Sequence, residues 1–233
     1  GHIPLQAPLS RIFWCGAFCY YHTKAQKVGA MSSLLFHDGN RKLQDQFDSR
    51  RIADRLEQVT LRQRFSEEDR AFIESAEFFF LATADAEGRP DCSFKGGAPG
   101  FVRVTGEHEL AFPDYDGNGM FKSLGNILAS PHVGLLFMAM GERPRRLRVN
   151  GTATVSRDDP EIGDFVGAQL LIRVRAAAIF PNCPRYLPGR DGPSVFIPRE
   201  GVAPVEPAWK DFSEFRDAVP PRSPAPRLRG KTD

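Results

Sequence analysis

Leu110-Ala111-Phe112-Pro113-Asp114-Tyr115-Asp116-Gly117-Asn118-Gly119-Met120-Phe121-Lys122-Ser123 runs from an apolar strand through a glycine-bearing polar loop into a helix start. Apolar residues at Phe121, Leu124, Ile127 and Leu128 continue at helical spacing, which predicts a short helix over Leu124 to Ala129. A glycine-bearing loop that feeds a helix offers unpaired backbone N–H groups. Lys122 adds a charge and Ser123 a hydroxyl donor, so a phosphate-sized anion is the natural guest.

Outward from this loop, short apolar runs alternate with polar turns. Strands are predicted at Phe78 to Thr83, Asp91 to Lys95, Phe101 to Val104, Glu109 to Phe112, Val133 to Met138, Arg146 to Val155 and Leu170 to Ile179. Asp85-Ala86-Glu87-Gly88 supplies the first turn. Short strands at this spacing, separated by glycine and charged turns, argue for a barrel or sandwich. Before them, Leu43, Phe47, Ile52, Leu56 and Val59 predict one amphipathic helix between Asn40 and Thr60, packed on the barrel or on a partner subunit. Ser66 followed by Asp69 is a capping-box pattern that predicts a second helix. A further helix is expected near Asp158 to Gln169.

At 233 residues and a net charge of +2, the chain is long enough for one domain with a core and has no basic surface pointing to nucleic acid. The arginines after Pro220 sit among prolines, as in a solvated tail. Cysteines 15, 19, 92 and 183 form no C-x-x-C pair and no histidine pair accompanies them, so reduced thiols and no metal site are expected. The apolar run Ile12 to Tyr21 is too short to span a bilayer as a helix. Residues 1–30 are expected to be upstream sequence outside the domain, with Met31 the start of translation; a functional arm or an export signal is the alternative. A helical segment is expected over 31–66, the barrel domain over 67–200 and a C-terminal extension over 201–233.

Three segments in order carry a resemblance: Gly88-Arg89-Pro90-Asp91-Cys92-Ser93-Phe94-Lys95-Gly96-Gly97, then Phe112-Pro113-Asp114-Tyr115-Asp116-Gly117-Asn118, then Asn126 to Phe137. With Arg148-Val149-Asn150-Gly151 and Phe180 to Tyr186, they cover roughly residues 68 to 190. The set resembles the pyridoxamine 5'-phosphate oxidase-like family of FMN-binding split β-barrels, in its broad branch more than in the vitamin B6 oxidase itself. The resemblance implies a mainly β (α+β) fold, an antiparallel split β-barrel of about six strands with short flanking helices. It also implies a homodimer with FMN at the subunit interface, in keeping with the size of a flat isoalloxazine against one shallow groove.

By the same resemblance, Cys92, Ser93, Phe94 and Lys95 line the cofactor, Lys122 and Ser123 take the phosphate, and Arg146 donates to the flavin's pyrimidine edge. Tyr115 and Asn118 join them from the loop. Arg185 and Tyr186 approach the flavin of the opposite subunit. Met120 stands where relatives place an arginine, so phosphate affinity is expected to lean on Asn118, Lys122 or an arginine from elsewhere. From the residues alone, Lys95 also reads as a solvated edge-strand lysine, and Arg143, Arg145, Arg146 and Arg148 as solvated or interface arginines. Gly96-Gly97 would let the backbone turn closely about a ligand. His108 and His132 read as turn histidines, and no histidine near Cys183 in sequence would activate it.

No Ser-His-Asp, paired-carboxylate or G-x-G-x-x-G arrangement stands out, which removes hydrolase and Rossmann dehydrogenase readings. The expected function is FMN-dependent redox chemistry on a small molecule, in the cytoplasm, with no membrane partner and no side chain assigned as catalytic. The alternative is a flavin, haem or deazaflavin module without turnover, a sensor or carrier.

Overall fold

The computed structural model describes residues 33–141, 144–188, 192–202 and 205–220. Expectations for residues 1–30, for Arg143 and for the tail after Pro220 lie outside them. The described residues divide into two compact units, one within 60–207 and the other 33–59 with 208–220.

In the second unit, α1 (Asp38–Gln46) and α2 (Arg50–Thr60) replace the single helix expected from Asn40 to Thr60. Asp48 takes φ 47°, a left-handed conformation that ends α1, and Asp45 accepts from Arg50 at 2.6 Å across the break. Spacing alone could not show this break, because Leu43 and Ile52 keep the apolar period on either side of it. Arg41 pairs with Asp54 at 2.6 Å, and Arg55 with Asp217 at 3.0 Å.

In the first unit, α3 (Glu67–Glu74) begins as predicted. Ser66 accepts from Asp69 N–H, and Asp69 accepts in return from Ser66 N–H, both at 3.1 Å. The strands are β1 (Phe78–Ala84), β2 (Pro90–Gly96), β3 (Arg103–Gly106), β4 (Glu109–Tyr115), β5 (His132–Ala139), β6 (Arg145–Ser156) and β7 (Ala168–Asn182). They form one antiparallel sheet of seven strands in the order β2-β1-β5-β6-β7-β4-β3. No ladder among the described residues joins its two ends, which makes it a split barrel.

Three expectations need correction. The strand read at Phe101 begins two residues later, because Phe101 and Val102 are buried in the bend before it. The helix near Asp158 to Gln169 is a single 3-10 turn, Ile162–Asp164, whose Ile162 and Phe165 pack on Ala111 and Leu171. The helix read from Leu124 starts earlier, as α4 (Lys122–Ala129).

Period-two alternation places the core. Phe79, Leu81, Leu135, Phe137, Leu147 and Val149 are buried on the inner face, together with Leu110, Phe112, Ile172 and Val174. α4 lays Leu124 and Ile127 onto this face, and its Asn126 donates to Thr83 of β1 at 3.0 Å in a buried bond. The face pointing away carries Arg146 and Arg148, as the alternation predicts.

Candidate functional site

The open seam of the barrel gathers the polar groups. Register pairs Ser93 with Leu81 and Lys95 with Phe79, so both β2 side chains lie on the inner face at the edge of the sheet. Ser93 and Ser123 share a hydrogen bond of 2.8 Å between hydroxyls, tying β2 to the start of α4. Ser123 is buried in that contact, while Lys122 beside it is exposed. Lys95 Nζ lies 3.9 Å from Asp114 Oδ1 on β4, which brings an edge strand to a strand near the far end of the sheet.

Phe121, the N-cap of α4, adopts φ 46°, and among the described residues no side chain caps the helix. A non-glycine residue held in this region stores of order 1 kcal/mol of strain. The first amides of α4 thus have no side-chain acceptor and lie beside Lys122 and the Ser93–Ser123 hydroxyl pair. Asn118 Oδ1 accepts from Met120 N–H at 3.0 Å and so braces the loop. Tyr115 is part exposed at the end of β4.

The expected cofactor set divides between the two faces of the sheet. Cys92 and Phe94 pair with Ala82 and Phe80, on the face opposite Ser93 and Lys95. Phe94 is 62% exposed and stacks on Phe78 at 5.4 Å, with Phe80 edge-on to both. Arg146 is on this outer face as well. One of its Nη groups donates to the Cys183 carbonyl, while Nε has no partner among the described residues, nor has Oδ1 of Asn182, its cross-strand neighbour. Burial pushes the Arg146 guanidinium below its ordinary value, opposed by Cys183 and reinforced by Arg148. Arg185 follows β7 in a turn, its guanidinium 5.9 Å from the Tyr186 ring centre.

A Cβ on Gly97 would come within 2.6 Å of the Phe101 ring, so the chain's own core already requires glycine there. His132 is exposed at the start of β5, and His108 Nδ1 is 2.6 Å from the Gln63 carbonyl. Among the described residues, no group of three His, Cys, Asp or Glu could hold a metal.

Sequence reasoning missed Asp114 and Gln169 as members of the seam. Asp114 could be seen only as loop, and Gln169 fell in a segment expected to be helical.

The fold defines an antiparallel split β-barrel with a donor-rich seam. Residues 65–193, more than half of the chain, match the model of the family described as pyridoxamine 5'-phosphate oxidase, and the chain belongs to that family. Among solved structures, HupZ of Group A Streptococcus is similar at 18% identity, with 50% of this chain and 93% of that one covered and a TM-score of 0.42. An FMN-binding protein of Syntrophomonas wolfei shares 10% identity over 63% of this chain and 96% of that one, with a TM-score of 0.40. HutZ, a haem storage protein of Vibrio cholerae, shares 17% identity over 51% and 95%, with a TM-score of 0.37. No curated protein matches the chain.

Proposed function

We propose that the chain binds FMN with its phosphate at the seam, as a homodimer with the cofactor at the subunit interface, and acts as an FMN-dependent oxidoreductase on a small molecule in the cytoplasm. The observation that carries the reading is the donor set along the seam: the Ser93 and Ser123 hydroxyls, Lys122 and uncapped amides at the start of α4, and Lys95 two residues along β2 from Ser93. A phosphomonoester dianion needs several charge-assisted hydrogen bonds to offset its desolvation, and this set fits it.

Two further observations support the dimer. Ser93 and Lys95 lie on the inner face, whereas Cys92, Phe94 and Arg146 lie on the outer face of the same sheet. One flat ligand that touches both sets draws them from two copies of the chain. Exposed Phe94, packed on the half-buried Phe78 and Phe80, gives a second copy an apolar surface to cover. Arg185 belongs to the opposite subunit's site in this reading.

Bound FMN supplies reversible electron and hydride transfer; the residues named here bind and orient it. Among the described residues, no helix is long and apolar enough to cross a membrane.

The test is to denature the purified protein and identify the released chromophore, with light scattering on the native sample. FMN and a particle of two chains are expected. Haem, a deazaflavin, or failure of folded apoprotein to take up added FMN overturns the reading. Bound FMN that no electron donor or acceptor can cycle would make the protein a flavin module without turnover.

A further inference from the structure

The ladder between β4 and β7 slips where it reaches the seam. Asp114 pairs with Leu170 and Tyr115 pairs with Ala168, so Gln169 is left without a partner in the register. An extra residue of this kind bends its strand and re-aims a side chain. Here the side-chain amide is held on β4: Gln169 Nε2 donates to Asp114 Oδ2 at 2.9 Å and to the Tyr115 carbonyl at 3.2 Å.

The other oxygen of Asp114 faces Lys95 at 3.9 Å. At that distance charge attraction acts without a direct hydrogen bond. The ammonium is therefore held in place while its three N–H donors stay available. A long lysine stem on an edge strand has considerable rotamer entropy, and a fixed counter-charge reduces what must be lost when an anion arrives. Both side chains are mostly shielded, Lys95 at 22% and Asp114 at 13% exposed, so the attraction is only partly screened.

We propose that Gln169 and Asp114 are positioning residues for Lys95, forming a relay from β7 through β4 to β2 that sets the ammonium at the seam for a phosphomonoester. This inference rests on the FMN reading above and adds to it the two residues that aim the lysine. The slip at Gln169 is then the device that makes the aim rigid.

The experiment measures dissociation constants of FMN and riboflavin, by flavin fluorescence, for the wild-type protein and for Lys95→Ala, Gln169→Ala and Asp114→Asn. Riboflavin lacks the phosphate, so general damage to the site weakens both ligands alike. Gln169→Ala keeps both charges and removes only the hold; the expected result is FMN weakened about five-fold with riboflavin unchanged, the size of one hydrogen bond. Asp114→Asn is expected to weaken FMN in the same selective way. Were Asp114 merely a nearby negative charge, removing it would tighten the dianion, and that result overturns the proposal. Equal FMN affinity in Gln169→Ala and wild type overturns it too. If Gln169→Ala does not fold, Gln169→Met fills the volume without the amide and is read by the same criteria. Lys95→Ala separates the two claims: no selective loss of FMN there sinks the phosphate reading itself, whereas a loss there with none in the other variants sinks only the relay.

Discussion

Ser93 and Ser123 stand thirty positions apart in the chain and share one hydrogen bond of 2.8 Å, the contact that fastens the start of α4 to the edge strand of the sheet. Ser123 is 4% exposed, so its hydroxyl has no water to fall back on. Ser123→Ala should cost about 1 kcal/mol of unfolding free energy, measured by urea titration of the apoprotein. It should also weaken FMN more than riboflavin. A variant as stable as wild type that binds FMN equally well would show the pair to be incidental.

Lys122 is exposed at the first position of α4 and has no role in the core. Lys122→Ala should leave stability unchanged and weaken FMN by about 1.5–3 kcal/mol, the range for hydrogen bonds to charged groups. Equal losses of FMN and riboflavin would remove Lys122 from the phosphate.

Asp69 is wholly buried and accepts from two nitrogens of Arg62, with Arg145 at 3.7 Å. Taking one partner from a buried pair leaves an uncompensated charge, which costs about 3–5 kcal/mol. Asp69→Ala should lose that much on chemical denaturation, since it also removes the return half of the α3 capping box, the bond from Ser66 N–H to the Asp69 carboxylate. Loss of under about 1 kcal/mol would place the pair in the class of surface ion pairs.

Arg173 binds Asp159 through two nitrogens, at 2.7 and 2.8 Å, and also reaches Glu109 and Glu161. The Arg173 hydrogen bonds hold the Asp159 carboxyl below its ordinary range against the opposing effect of burial. A depressed carboxyl contributes stability that is present above its unfolded value and lost as pH falls through the folded one. Acidification below about pH 4 should therefore destabilise wild type more steeply than Arg173→Met. Parallel pH profiles would mean that this pair is not coupled to folding.

Two glycines give opposite expectations. A Cβ on Gly151 would lie 2.0 Å from the Arg175 carbonyl oxygen, at the register slip between β6 and β7. Backbone cannot yield as a side chain can, so Gly151→Ala should cost about 3 kcal/mol. Gly125 lies inside α4, and a methyl group added there would meet nothing within 4 Å, so Gly125→Ala should stabilise by about 1 kcal/mol. Differential scanning calorimetry of both variants reads the two signs directly.

Much of the barrel was legible because burial writes itself at period two. Phe79 and Leu81, or Leu147 and Val149, announce an inner face without any knowledge of their partners. The α3 cap was legible because Ser66 and Asp69 act within one turn. The seam was less so. Ser93 and Ser123 meet only through the curl of the sheet, and Gln169 matters because of a slip in register that composition does not mark. Cys92 and Phe94 were named with Ser93 and Lys95 by resemblance, and only the register shows that alternation sends the two pairs to opposite sides of the strand. The break at Asp48 was invisible for a similar reason, since a left-handed residue is a matter of backbone shape.

The unclosed edge of the sheet has a mechanical consequence. β2 is zipped to the body along one border only, and its other border is fastened by side chains, Ser93 to Ser123 and Lys95 towards Asp114. Such an edge can swing outward without breaking any rung of the sheet, so it should be among the first parts to breathe. A molecule lodged there acts as a clasp. Its grip on the edge adds to the free energy of the folded barrel in step with its concentration, so the melting temperature becomes a gauge of occupancy for whatever the cleft accepts.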